Sequence, residues 1–452
     1  MFEKRVGPQM RRAFVVCLAW AGVTLKANAS DAPFRGRVVF TQIPTTSRDH
    51  ANNDPASSRD AARLPPGSRI VIFDASAQER GVTNLTPDFV SAGKPDVSFD
   101  GTHLLFIGKK SPAERFGVWE MATDGNALRE VVRFSADCVD AIHLSSIYTL
   151  DADQPVYQIA FVARAPGDGV LSIYTCRMDG SAVRRITFAP GGASDPHQLS
   201  DGRLLFRMWM PAETNPMKSD ESSVAALFTV NTDGTDLFPF TGSQGATPEI
   251  PKPNEVPVFD DPMWDGVDAV LLGSRSEPAG RSSVVDDRKK SGQLYCLNAY
   301  LSDENPRPQA SRGSIRGVRI WRVPESMNGA PVDRSPETSS SAAAQAPRET
   351  GTLLGEFSVE SDGSFFLQVP ARTPFRLETL DESGRVLRTM HTWMWVMPGE
   401  RRGCIGCHED RELTPPNRHV LALRKLPQQA GGAALNSETA SEESETPGGD
   451  AP

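Results

Sequence analysis

A chain of 452 residues with 38% hydrophobic content, 36 Pro and 37 Gly is too long for one ordinary core, and its turn formers argue against a helical bundle. Two or three mainly β units are expected instead. The formal net charge of -9 opposes binding to nucleic acid or to anionic lipid.

The first residues set the compartment. MFEKRVGPQMRR is a basic leader, AFVVCLAWAGVTL is an apolar run of 13 residues, and Ala27-Asn28-Ala29 is a small-x-small cleavage site. Residues 1–29 therefore read as a secretory signal peptide, because the run falls short of the roughly 20 apolar residues that cross a bilayer. Its removal takes Lys4, Arg5, Arg11, Arg12 and Lys26 against Glu3, which leaves a net charge of -13. No later segment is apolar enough to span a membrane, so the mature chain is expected to be periplasmic or otherwise exported, with no membrane span.

Residues 30–284 repeat themselves. VWEMATDGNALREVV (118–132), IYTCRMDGSAVRRIT (173–187) and LFTVNTDGTDLFPFT (227–241) each place an Asp-Gly turn between two strands, with glycines at 125, 180 and 234. KPDVSFDGTHLLFIG (94–108) and DPHQLSDGRLLFRMW (195–209) alternate with them. Asp-Gly supplies the positive φ of a tight hairpin, so two such ladders build one four-stranded sheet. Sheets repeated in this way bury their faces by radial stacking, which predicts a β-propeller. GRVVFTQIP (36–44) and GSRIVIFDAS (67–76) supply the opening strands and WDGVDAVLLGS (264–274) the last, with about six blades expected. The Asp-Gly units resemble the WD40-like repeats of TolB-type propellers.

The pattern changes over residues 285–425. SGQLYCLNAYLSD and RGSIRGVRIWRV read as strands, followed by a low-complexity loop over 327–350 that is expected to be disordered. GEFSVESDGSFFLQVP and FRLETLDESGRVLRTM read as two hairpins turned at Asp362-Gly363 and Ser383-Gly384, which suits a small β-sandwich. HTWMWVM reads as a strand with His391, Trp393, Trp395 and Met397 on one face and Thr392, Met394 and Val396 on the other. A short helix is expected near HVLALRKL (419–426). The acidic tail, residues 426–452, is expected to be disordered. The fold class is thus mainly β: an N-terminal propeller, then a sandwich ending in a Cys-x-x-Cys-His segment.

That segment carries the chemistry. Cys404-Ile405-Gly406-Cys407-His408 has the spacing that attaches one covalent haem c, the thiols adding to vinyl groups and His408 serving as the proximal iron ligand. A structural zinc site would need a second cluster of Cys or His, and none matches. A thioredoxin-like pair would need a βαβ setting that is missing here. Met397 is the candidate distal ligand, with Met394, His391, His419 and an open site as alternatives. Cys138, Cys176 and Cys296 are left over, and sequence does not choose between one disulfide and three buried thiols. His50, His103, His143 and His197 read as blade or loop residues, and Asp151 with Asp153 as a solvated turn. No GxSxG, Walker loop or HExxH occurs.

With these residues in view, LYCLNAYLSDENPRPQASRGSIRGVRI, GEFSVESDGSFFLQVPARTPFRLETLD and WMWVMPGERRGCIGCHED resemble the haem-carrying middle domain of the hydrazine synthase alpha subunit family. The resemblance implies haem attachment at Cys404 and Cys407 and a role for His408. It also implies a difference: in that family the reactive haem uses a tyrosine four residues after the histidine, which is left to bind zinc, whereas this chain has Glu412 there. The family's second haem domain has no counterpart, since one CxxCH occurs. The resemblance therefore implies a redox task other than hydrazine synthesis. The leading expectation is a monohaem cytochrome-like protein that relays electrons, its propeller docking a redox partner protein. The alternative is a haem enzyme, or an oxidoreductase subunit, acting on a small nitrogen or oxygen compound. A scaffold with a merely structural haem is the third.

Overall fold

The computed structural model describes residues 36–46, 64–76, 81–150, 152–210, 224–240, 261–301, 310–323, 351–390, 392–406 and 419–431. Nearly all regular structure among them is β-strand, and no helix is long and apolar enough to cross a membrane.

The Asp-Gly repeats fold as the sequence predicts, and for a common reason. At each turn the aspartate carboxylate accepts the main-chain N–H two residues on: Asp124 from Asn126 at 2.9 Å, Asp179 from Ser181 at 2.9 Å and Asp233 from Thr235 at 3.0 Å. The glycine between takes φ of 81° to 90°, which an L side chain resists. These turns join Gly117–Ala122 to Arg129–Val132, Leu171–Arg177 to Arg184–Arg185, and Val224–Val230 to Phe238–Pro239.

Four blade sheets result among the described residues, where the sequence predicts about six. The first runs Trp264–Leu271, Arg37–Pro44, Arg69–Asp74, Val82–Asn84. Its outermost-in-sequence strands pair with each other, so the opening and closing segments make one blade rather than two. The second contains Ser91–Val97, His103–Lys109 and the 117–132 hairpin. The third is built on two long strands, Cys138–Tyr148 and Val156–Arg164, which use up residues that shorter blades would share. The fourth joins Ala193–Gln198 and Leu204–Met210 to the 224–239 hairpin.

One strand of each blade meets its neighbours at the centre: Trp264–Leu271, Ser91–Val97, Cys138–Tyr148 and Ala193–Gln198. Each carries a register shift, and at or beside it stand Asp268, Lys94, Asp140 and Asp195. Lys94 Nζ lies 3.2 Å from Asp268 Oδ1. Burial, set against the pull of Lys94 and reinforced by Asp195 and Asp268, pushes the Asp140 carboxyl up to about 7.

The sandwich has two sheets among the described residues. One runs Arg401–Cys404, Ser291–Cys296, Phe365–Pro370, Gln428–Gln429; the other runs Thr352–Ser358, Gly317–Arg322, Phe375–Leu380, Val386–Thr389. The hairpin expected at Ser383-Gly384 forms. The one expected at Asp362-Gly363 does not: Thr352–Ser358 pairs with Gly317–Arg322 while Phe365–Pro370 pairs with Ser291–Cys296. That Asp-Gly turn is a corner between sheets, each flanking strand pairing along its length with a strand from elsewhere in the chain.

Two further expectations change. Gln428–Gln429 pair with Leu367–Gln368 and Ala430 is fully buried, so the chain leaves the sandwich later than residue 426. The helix near 419–426 is a single 3-10 turn, Ala422–Arg424. The loop 327–350 and residues 432–452 lie outside the described residues.

One hydrophobic cluster crosses from propeller to sandwich, joining Val162, Phe206 and Phe228 to Leu294, Phe365 and Trp395. The sandwich is thus seated on the third and fourth blades.

Candidate functional site

The segment 392–400 fixes that seat. It is no alternating strand: Trp393, Met394, Trp395, Val396 and Met397 are all buried, because propeller and sandwich cover both sides of it. Its regular pairing is limited to a bridge in which Met394 and Phe375 exchange main-chain hydrogen bonds. Trp395 meets Phe188 edge-on at 6.0 Å and donates its indole N–H to the Gly234 carbonyl at 3.2 Å. A Cβ on Gly234 would fall 3.0 Å from Met397 Sδ and 2.8 Å from the Ile186 carbonyl, so glycine is required there for contact as well as for its φ of 90°.

Glu400 completes the joint. Its carboxylate accepts the Asp236 N–H of the fourth blade at 2.9 Å and the Met397 N–H at 2.6 Å. Burial pushes this acid up to about 7, against the pull of Arg402 and of those two hydrogen bonds.

Beyond Glu400 the chain enters the strand Arg401–Cys404, parallel to Ser291–Cys296 and in register so that Cys404 pairs with Cys296. Arg402 and Cys404, two apart on a strand, share a face. Both line a partly open cleft of about 270 Å³. Phe228, Leu237 and Phe238 of the fourth blade form one wall. Cys296, Phe365, Val318 and Leu377 of the sandwich form another, and Met390, Trp393 and Met394 close it.

This lining is mainly apolar, yet buried polar atoms without a partner among the described residues sit on it: Thr379 Oγ1, Trp393 Nε1, and Nε and Nη1 of Arg402. Such groups cost free energy in an empty protein interior, so their concentration around one cleft marks a place for a ligand with both an apolar body and acceptor atoms. A haem beside Cys404 fits that donor set: its macrocycle suits the aromatic and thioether walls, and its carboxylates suit the donors.

The candidate residues fall out as follows. Cys404 borders the cleft; Cys407 and His408, and with them Glu412, lie outside the described residues, as do His391, His50 and Asp151. Met397 is turned to Gly234 of the propeller and is not among the cleft residues, whereas Met394 is. His419 is exposed. His143 is buried with Nδ1 2.7 Å from Asp96, while His103 and His197 are exposed blade residues, and Asp153 is exposed in a turn. Among the described residues no group of three or more His, Cys, Asp or Glu could hold a metal ion.

Cys138, Cys176 and Cys296 are buried, the first two as free thiols. Burial raises the first two thiols, Cys176 to about 12, which makes them inert packing residues. Cys296, Arg388 and Arg402 were not legible as cleft residues. For Arg402 the signal was its spacing of two from Cys404.

The fold and site define a class: a β-propeller bearing a sandwich whose cleft opens beside a strand-borne cysteine. Residues 313–409 match the sequence model of a family described as the hydrazine synthase alpha subunit middle domain. Hydrazine synthase subunit alpha of Kuenenia stuttgartiensis is 34% identical over 558 aligned residues, covering 86% of this chain and 68% of that one. The solved Kuenenia stuttgartiensis hydrazine synthase superposes with a TM-score of 0.67 at 18% identity, over 86% of this chain and 72% of that one. A TolB structure from Agrobacterium tumefaciens reaches a TM-score of 0.28 at 18% identity, covering 47% and 61% of the two chains. That last likeness is too slight to carry the propeller, which rests on this chain's own sheets. The chain belongs to the hydrazine synthase alpha subunit family.

Proposed function

We propose that this chain is a haem-bearing subunit of an exported oxidoreductase that acts on a small nitrogen or oxygen compound. Membership of an enzyme-subunit family favours this reading over the electron-relay cytochrome that the CxxCH motif first suggests. The observation that carries it at the level of the site is the mainly apolar cleft, ringed by unpartnered buried donors, that opens beside Cys404. Cys404 and Cys407 would hold one haem c through thioethers, with His408 as the proximal ligand on the sequence motif.

When bound, the haem supplies iron-centred redox chemistry. The chain's own part is to exclude water with Phe228, Phe238 and Trp393, and to offer hydrogen-bond donors from Trp393 and Arg402. On the resemblance drawn from the sequence, Glu412 stands where the family's reactive haem would use a tyrosine, so the task proposed is not hydrazine synthesis. The relative's name, a subunit, supports partners within a multi-subunit complex, with the propeller offering the docking faces.

The optical spectrum of the purified protein tests the reading. A high-spin ferric haem whose bands shift on adding cyanide or nitric oxide supports a small-molecule site. A six-coordinate low-spin haem that ignores both ligands returns the protein to electron relay.

A further inference from the structure

Arg402 is 6% exposed, on an otherwise mainly apolar cleft. Its Nη2 donates to the Leu237 carbonyl, and its guanidinium carbon stands 4.4 Å from the centre of the Phe238 ring. Those contacts leave Nε and Nη1 without acceptors among the described residues. Glu400 acts on it only through space: its two oxygens accept the N–H groups of Asp236 and Met397, and burial pushes its carboxyl up to about 7, so that its negative charge is weakened. A buried cation in this state is costly unless a further anion arrives, because taking a charge out of water is offset only by a close partner.

The position says which anion. Arg402 lies on the same strand face as Cys404, one residue pair away, so an acceptor that reaches it belongs to something attached at, or lying against, that thiol. Guanidinium favours carboxylate through charge-assisted hydrogen bonds. The aromatic wall favours a flat apolar body, and Trp393 Nε1 and Thr379 Oγ1 are further donors on that wall without a hydrogen-bond partner among the described residues.

We propose that Arg402 anchors a carboxylate of the cleft's ligand, which on the haem reading above, and resting on it, is a propionate of the macrocycle tethered at Cys404. Arg402 is a positioning residue: it orients the macrocycle and neutralises one of its acids, and takes no part in bond making. Its charge also opposes the ferric state less once the propionate is paired, so losing it leaves an uncompensated anion that favours oxidised iron.

The test uses the full-length exported protein, produced with cytochrome maturation, as wild type, Arg402→Gln and Arg402→Lys. Three readouts apply: the pyridine haemochrome for haem content, the reduction potential, and the propionate bending band in the resonance Raman spectrum. The proposal expects Arg402→Gln to keep its covalent haem, to show a lower potential and to move the propionate band toward that of a solvated carboxylate, with Arg402→Lys restoring part of both shifts. Haem retained with potential and band unchanged in Arg402→Gln would overturn it. If Arg402→Gln does not fold, the wild-type band decides: a hydrogen-bonded propionate supports the anchor and a solvated one overturns it. A wild-type protein without any porphyrin overturns the haem reading itself, whatever Arg402 does.

Discussion

The centre of the propeller and the cleft of the sandwich both gather charge, but they balance it differently. At the centre, Lys94 faces Asp268, and Asp140 and Asp195 stand nearby, so acids and cation answer one another within the protein. In the cleft, Arg402 has an aromatic ring and one carbonyl but, among the described residues, no carboxylate bound to it. Self-contained charge is what a scaffold needs. Charge left open on an apolar wall is what a ligand site needs.

Between the two regions runs the joint of Gly234, Trp395, Met397 and Glu400, and breaking it should produce the largest effect. Trp395→Ala removes a fully buried indole and its hydrogen bond to Gly234, with an expected cost of about 3–5 kcal/mol. Chemical denaturation checks this, and cleft residues should become accessible before the propeller core melts.

Glu400→Ala is expected to cost about 2–3 kcal/mol, because two main-chain N–H groups lose their acceptor. The pH dependence sharpens the point. Glu400 holds its proton up to about 7 when folded, against an unfolded value near 4.3. Its contribution is therefore fully present below about pH 4 and is lost as pH rises through about 7. Glu400→Gln should flatten that part of the stability profile, measured by denaturant midpoints between pH 4 and 8; an unchanged slope would assign the titration to another group.

Gly234→Ala forces an L side chain to φ of 90° against Ile186 and Met397, and a loss of about 1–2 kcal/mol is expected in the same assay. Asp140→Asn is the smallest change. Its carboxyl, raised to about 7 by burial, destabilises the fold as pH rises through that value, so the amide should gain on the order of 1 kcal/mol or less at pH 8 and nothing at pH 4. A gain at the centre with no change in ligand binding would confirm that the two charged regions are independent.

What could be read in advance follows the same division. The turns at Gly125, Gly180 and Gly234 were legible because Asp-Gly chemistry is local, and so was the order of propeller before sandwich. Blade number was not, since the strand at Trp264–Leu271 finds its partner at Arg37–Pro44, more than 200 residues back. The HTWMWVM stretch reads as a strand with two distinct faces, yet coverage by two units buries all of Trp393 to Met397. Cys296 gave no sign of lying beside Cys404, because parallel pairing across about a hundred residues leaves no mark in either segment. Nothing in residue type sets Arg402 apart from Arg401; strand alternation turns one outward and the other into the cleft.

Intact mass of the mature polypeptide, taken from cells competent in cytochrome maturation, tests the central claim most directly. The account predicts one covalently added haem, localised by peptide mapping to Cys404 and Cys407. A mature chain of unmodified mass, with both thiols open to alkylation, would contradict it.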